Sequence, residues 1–311
     1  MIRRILQSLI ALAVVLGIGA AIALRIPVVQ DRLVIEGGRR YFAQRAAHDP
    51  LFADDALRVI VCGSSAPMPD PGRAKPCIAV IAGGRFYLFD IGPEATETLA
   101  RRLFPLQRVG AVFITHLHSD HIGELGEFAM QSWANGRERT LDVYGPPGIE
   151  RVVAGFNEVY ALDNDYRTAH HGGNFLPREA AAMLAHAIEM PGADDGSNTR
   201  TTPAYTDGDF KVTAIEINHR PVRPAYAYRI DYKGRSVVIS GDTAPHPPLA
   251  VAARDADVLF HESNSTHILE LLQQSGKGVP GMERFNQINH DVNDYHSTPV
   301  VAAGIANPAG G

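Results

Sequence analysis

The sequence predicts a mixed α and β domain whose strands end in metal-ligating side chains. Three observations predict it. Short apolar runs and amphipathic stretches follow one another from Leu57 onward. Two pairs of these runs flank tight turns, at Gly83-Gly84 and at Lys233-Gly234, and read as hairpins. Several runs stop at a histidine or aspartate, namely at His116, His219, Asp242 and His261.

Composition sets the limits. The 311 residues suffice for one large domain or two small ones, and 45% apolar content is enough for a real core. A net charge of -5 provides no global basic field for nucleic acid. The two cysteines, Cys62 and Cys77, exclude a disulfide scaffold and a cysteine zinc cluster. Two free, buried thiols are expected of them.

The chain divides into residues 1–24, 25–56 and 57–311. In the first segment Arg3 and Arg4 precede an apolar or small run from Leu9 to Leu24. A spanning helix needs about 20 such residues. Ala21-Ile22-Ala23 also offers a cleavage-like site, so the segment reads as an N-terminal membrane anchor or a signal peptide. Paired arginines before the run place the rest of the chain across the membrane, facing the periplasm. Residues 25–56 read as a juxtamembrane linker with one helix near Arg32 to Ala47.

Leu57 to Cys62 reads as a strand leading into a Pro- and Gly-rich loop, Gly63 to Arg73. Cys77 to Ile81 and Arg85 to Asp90 form the first hairpin, and Glu94 to Phe104 an amphipathic helix. Ala111 to Ile114 is a buried strand that ends in Thr115-His116-Leu117-His118-Ser119-Asp120-His121. Residues two apart in an extended segment share a face, so His116 and His118 can point at one ion. Asp120 and His121 are offset and can face a second, before a helix from Ile122 to about Trp133. Leu141 to Tyr144 is a strand, and Ile149 to about Leu162 a helix. Asp165 to Gly172 reads as a polar loop or pocket rim, and Pro191 to Asp207 as an exposed loop. Lys211 to Asn218 is a strand before His219. Ala225 to Tyr232 and Ser236 to Ser240 form the second hairpin, before Asp242. Asp257 to Phe260 is a strand before His261-Glu262, and Tyr295-His296-Ser297-Thr298 opens a helix to about Ala306.

The stretch from His116 to His121 resembles the His-x-His-x-Asp-His signature of the metallo-β-lactamase superfamily. The resemblance extends from Leu57 to the C-terminus. It implies an α+β four-layer αββα sandwich with a metal site at one sheet edge. It also implies that His116, His118 and His219 hold a first ion and that Asp120, His121 and His296 hold a second. Asp242 would bridge the two, and Asp90 would brace the metal loops. Imidazole and carboxylate ligands suit two Zn²⁺, and also Mn²⁺ or Fe.

The Gly63-Ser64-Ser65-Ala66-Pro67 loop, the His261-Glu262 pair and the His296-Ser297-Thr298 setting are similar to the ribonuclease Z and arylsulfatase-like branch. That likeness implies a hydrolase in which a metal-bridged hydroxide attacks a phosphodiester or aryl sulfate ester. Asp120 would orient the nucleophile, His261 would protonate the leaving oxygen, and Glu262 would orient His261. The implied substrate is a small anionic ester or a nucleotide-type molecule, and a homodimer is in keeping with it. A tRNA 3′-processing endoribonuclease is the alternative, and a thiolester or lactone hydrolase another. The long tRNA arm of ribonuclease Z has no counterpart between His219 and Asp242. The chain also ends soon after His296, which reads as a truncated end or an open sheet edge.

Overall fold

The computed structural model describes residues 2–46, 50–68, 70–192 and 200–307. It contains two compact units, Met1–Pro50 and Leu51–Gly311. In the first, Pro27 opens α2 (Pro27–Ala46) just after α1 (Ile2–Ala23). Proline is favoured at a helix start, where its missing N–H has no partner to lose. Leu9, Ile10, Val14, Leu16 and Ile18 of α1 are all exposed. No single helix among the described residues is long and apolar enough to cross a membrane. The segments Ala13–Ala23 and Pro27–Gln44 meet that test only together, with an 87° bend between them. The N-terminal span expected from sequence is therefore not found as one continuous helix.

Among the described residues the second unit holds eleven strands in two sheets. The first sheet runs in spatial order β1 (Arg58–Gly63), β2 (Cys77–Ala82), β3 (Arg85–Phe89), β4 (Val109–Phe113), β5 (Leu141–Gly145) and β6 (Met183–Ala187). The second runs β11 (Val258–Phe260), β10 (Arg235–Ile239), β9 (Tyr226–Tyr232), β8 (Phe210–Glu216) and β7 (Thr201–Asp207). Both mix parallel and antiparallel pairs. Alternation along each strand sorts the side chains into layers. Tyr87 and Phe89 of β3 meet Phe210 and Tyr228 of the other sheet, stacking or tilting at centroid distances of 3.8 and 5.5 Å. Phe86 and Leu88 point the other way, into a cluster with Leu99, Phe128 and Val153.

Those three residues belong to α3 (Ala95–Arg101), α5 (Leu125–Ala134) and α6 (Ile149–Val159). A four-residue helix, α4 (Ser119–Ile122), precedes α5. On the far side of the second sheet, Ala227 and Val238 pack with Leu249 and Ile305. These come from α8 (Pro248–Ala252) and α11 (Pro299–Ala306). Helix, sheet, sheet, helix is the four-layer sandwich expected. Between β11 and α11 lies a helical hairpin, α9 (Thr266–Gly276) and α10 (Glu283–Asp291).

Three expectations are corrected. Cys62 and Cys77 are disulfide-bonded and close the Pro- and Gly-rich loop at its base, so they are not free thiols. Asp165 to His171 is helical, within α7 (Ala161–His171), where Arg167 pairs with Asp163 one turn earlier. Thr201 to Asp207 is strand β7 and not loop. It is an edge strand with a register shift at Pro203, the setting in which a strand tolerates proline. The loop expectation over 193–199 and the truncation expected at the C-terminal end, 308–311, lie outside the described residues.

Candidate metal centre

Asp90 follows β3 in the left-handed region, at φ 61°. It is buried and accepts three hydrogen bonds. The Thr115 amide donates to Oδ1 at 2.8 Å, and the Thr115 hydroxyl to Oδ2 at 2.9 Å. His121 Nδ1 donates to Oδ2 at 2.7 Å. The ends of β3 and β4 are thereby tied, and the bond turns His121 Nε2 toward Asp242. Close packing keeps the loop in place, since a Cβ on Gly92 would sit 1.9 Å from the Asp120 carbonyl oxygen.

The hydrogen bonds also set the other tautomers. The Thr115 hydroxyl is spent on Asp90, so its oxygen accepts from His116 Nδ1 at 3.1 Å and leaves His116 Nε2 bare. His219 Nδ1 donates to the Tyr295 carbonyl at 3.0 Å, which leaves His219 Nε2 bare. Both bare nitrogens face His118 Nδ1, at 2.9 Å from His116 and 3.4 Å from His219. Burial pushes all three imidazoles below their ordinary pKa, so they are neutral at pH 7. Neutral imidazoles with converging lone pairs are what a bound cation requires.

A second group joins the first through His116. His116, His121 and Asp242 place ligand atoms within 4.8 Å of one another, as do His116, His118 and His219. His121 Nε2 is 3.2 Å from Asp242 Oδ2. Burial opposes a charge on Asp242, but His121, charged and hydrogen-bonded to it, outweighs burial and holds the carboxyl well below the usual range. Burial also opposes a charge on His121, yet Asp242 and Asp90 push it well above its ordinary value. The donor set fits metal ions of the Zn²⁺ or Mn²⁺ type.

The remaining expected ligands lie beside this second group. Asp120 Oδ2 is 3.7 Å from His121 Nε2, and His296 Nδ1 is 4.0 Å from Asp242 Oδ2. Glu262 departs from its expected role. Its Oε1 accepts from His296 Nδ1 at 3.1 Å, the Ser297 amide at 2.9 Å and the Thr243 amide at 3.1 Å. It therefore orients His296 and not His261. His261 is held by the backbone instead, its Nδ1 donating to the Glu262 carbonyl at 2.7 Å. Sequence reasoning passed over Thr115 and Tyr295, although each directly precedes a histidine of the site. A separate groove of about 610 Å³ between the free edges β1 and β11, lined by Val59, Tyr232 and Phe260, includes no residue of the cluster.

Comparison with known proteins agrees with this geometry. The family described as beta-lactamase superfamily domain matches residues 85–310. The Ribonuclease Z of Mycobacterium bovis is 33% identical over 257 residues, covering 82% of each chain. That of Mycobacterium avium is 31% identical over the same share. Among solved structures, the short form of human tRNase Z aligns with a TM-score of 0.58 at 22% identity, over 80% of this chain and 87% of that one. The metallo-β-lactamase fold protein YhfI of Bacillus subtilis aligns at 0.54 and 20%, over 83% of each. By its four-layer sandwich, its histidine and aspartate cluster and these matches, the chain belongs to the metallo-β-lactamase superfamily.

Proposed function

We propose that this metal-dependent hydrolase is a phosphodiesterase of ribonuclease Z type, working with two Zn²⁺ on RNA. The observation that carries the proposal is the convergence of imidazole nitrogens from His116, His118 and His219, with His116 shared with the His121–Asp242 group. The curated relatives named Ribonuclease Z favour RNA as the phosphodiester.

His116, His118 and His219 would hold one ion; His121, Asp242, Asp120 and His296 would hold the other. When bound, the ions supply Lewis acidity at the ester and make water acidic enough to attack near neutral pH. The chain's own groups do the rest. Asp90 and the Tyr295 carbonyl fix the imidazole tautomers, and Glu262 fixes His296. Asp120, beside His121, can accept the proton of the attacking water. His261, when it carries a proton on both ring nitrogens, can give the Nε2 proton to the departing oxygen while Nδ1 stays on the Glu262 carbonyl.

A second reading is an exported phosphodiesterase or arylsulfatase acting on a small anionic ester. It is favoured by the connection between His219 and Asp242, which is a short turn plus the β9–β10 hairpin. The apolar α1 and the Cys62–Cys77 disulfide support membrane attachment facing an oxidising compartment such as the periplasm.

The test is a substrate panel. Full-length chain in detergent, reconstituted with zinc or manganese, is offered precursor tRNA, an aryl phosphodiester, an aryl sulfate and a thiolester. Cleavage of precursor tRNA at its 3′ side and of the aryl diester is expected. Turnover of the diester without tRNA favours the second reading. Turnover of the sulfate or thiolester alone refutes phosphodiester chemistry.

A further inference from the structure

The ring of Tyr295 sits against two histidines of the site. Its centroid is 5.4 Å from that of His219 and 4.9 Å from that of His296. It is half-buried, at the foot of the α9–α10 hairpin. Its carbonyl is spent on His219, but its hydroxyl makes no hydrogen bond among the described residues.

The chemistry of a phosphate ester leaves an opening for that hydroxyl. His261 is assigned to the leaving oxygen. A non-bridging oxygen turned away from the ions remains to be bonded, and a phenol hydroxyl can donate to it.

We propose that Tyr295 determines specificity for phosphate esters by donating its phenolic hydrogen to a non-bridging oxygen of the bound substrate. The assignment rests on the reading of the cluster as a phosphodiester site. Hydrogen bonds to charged groups are stronger than those between neutral ones, and removing a donor aimed at such an oxygen is costly.

The experiment uses full-length, zinc-loaded chain and the variant Tyr295→Phe, which keeps the ring and the carbonyl that orients His219. Inorganic phosphate is titrated calorimetrically into each, and kcat and KM are measured on an aryl phosphodiester. Tyr295→Phe should keep its zinc, bind phosphate about tenfold more weakly and lose about 10- to 100-fold in kcat/KM. Tyr295→Leu, which also removes the ring, separates packing from donation. If Tyr295→Phe matches the wild type and only Tyr295→Leu fails, the ring merely packs and the proposal is overturned. Loss of zinc from Tyr295→Phe, or equal phosphate binding by all three proteins, also overturns it. If phosphate binds and weakens in Tyr295→Phe while no diester is cleaved by the wild type, the proposed function falls and takes the ester specificity with it, leaving Tyr295 only as a phosphate donor.

Discussion

Asp90→Asn tests how the metal centre is braced. The substitution keeps size and shape, and asparagine tolerates the left-handed backbone found at φ 61°. It replaces one carboxylate oxygen with an NH₂ group. Oδ1 can still accept from the Thr115 amide, at 2.8 Å in the wild type. The other position now presents a donor to the Thr115 hydroxyl and to His121 Nδ1, which both donate there at 2.9 and 2.7 Å. His121 and Thr115 are buried, so neither can turn to water instead. A buried donor left unmatched costs about 1–3 kcal/mol. In a domain of this size that lowers Tm by about 2–12 °C. Losing the carboxylate behind a metal-ligating histidine costs about 10- to 100-fold in metal affinity. Calorimetric melting of metal-free protein and zinc titration against a competing chelator measure the two effects separately. An Asp90→Asn protein with wild-type Tm and wild-type zinc affinity would refute the bracing argument.

Glu262→Ala should lose affinity for the ion beside His296 by about 10- to 100-fold, because three donors lose their common acceptor; zinc stoichiometry under chelator competition measures it. His261→Ala should keep its zinc and lose about 10²–10⁴-fold in rate on alkyl or nucleotide diesters. It should lose little on nitrophenyl diesters, whose leaving group needs no proton, and an equal loss on both would reject the acid role. The Cys62–Cys77 bridge closes a separation of 15 residues, so reduction should remove about 3 kcal/mol of stability. Denaturant melts with and without reductant measure this, and identical midpoints would contradict it.

Strands that end at ligands were legible because short apolar runs bounded by turn residues, such as those at Gly83-Gly84 and Lys233-Gly234, favour buried strands. The hairpins at Gly83-Gly84 and Lys233-Gly234 appeared as expected, since these turns require positive φ at both central positions. Elements on the rim were harder to read. β6, a short strand, carries partly exposed residues after its first and had no clean period. α7 is polar all round apart from Leu162 and Tyr166, so its sequence looks like a loop. Glu262 was assigned to the wrong neighbour for a geometric reason. Successive residues of an extended chain point to opposite sides, so Glu262 turns away from His261 and toward residues 35 positions later. The Cys62–Cys77 pairing depends on the turn of the intervening loop, which the spacing of two cysteines does not determine.

The tie made by Glu262 bears on the order in which the molecule acquires its parts. Four of the ligating residues lie in the six positions from His116 to His121, around one turn after β4. They need only local closure and the neighbouring end of β3. His296 is different, because it reaches its place when the start of α11 docks on a carboxylate that also grips Thr243, 19 residues before it. In a chain synthesised from its N-terminus, the sandwich can close while the site still lacks one of its imidazoles. Hydrolytic competence is then the final property to arrive, together with the packing of Ile305 on the second sheet.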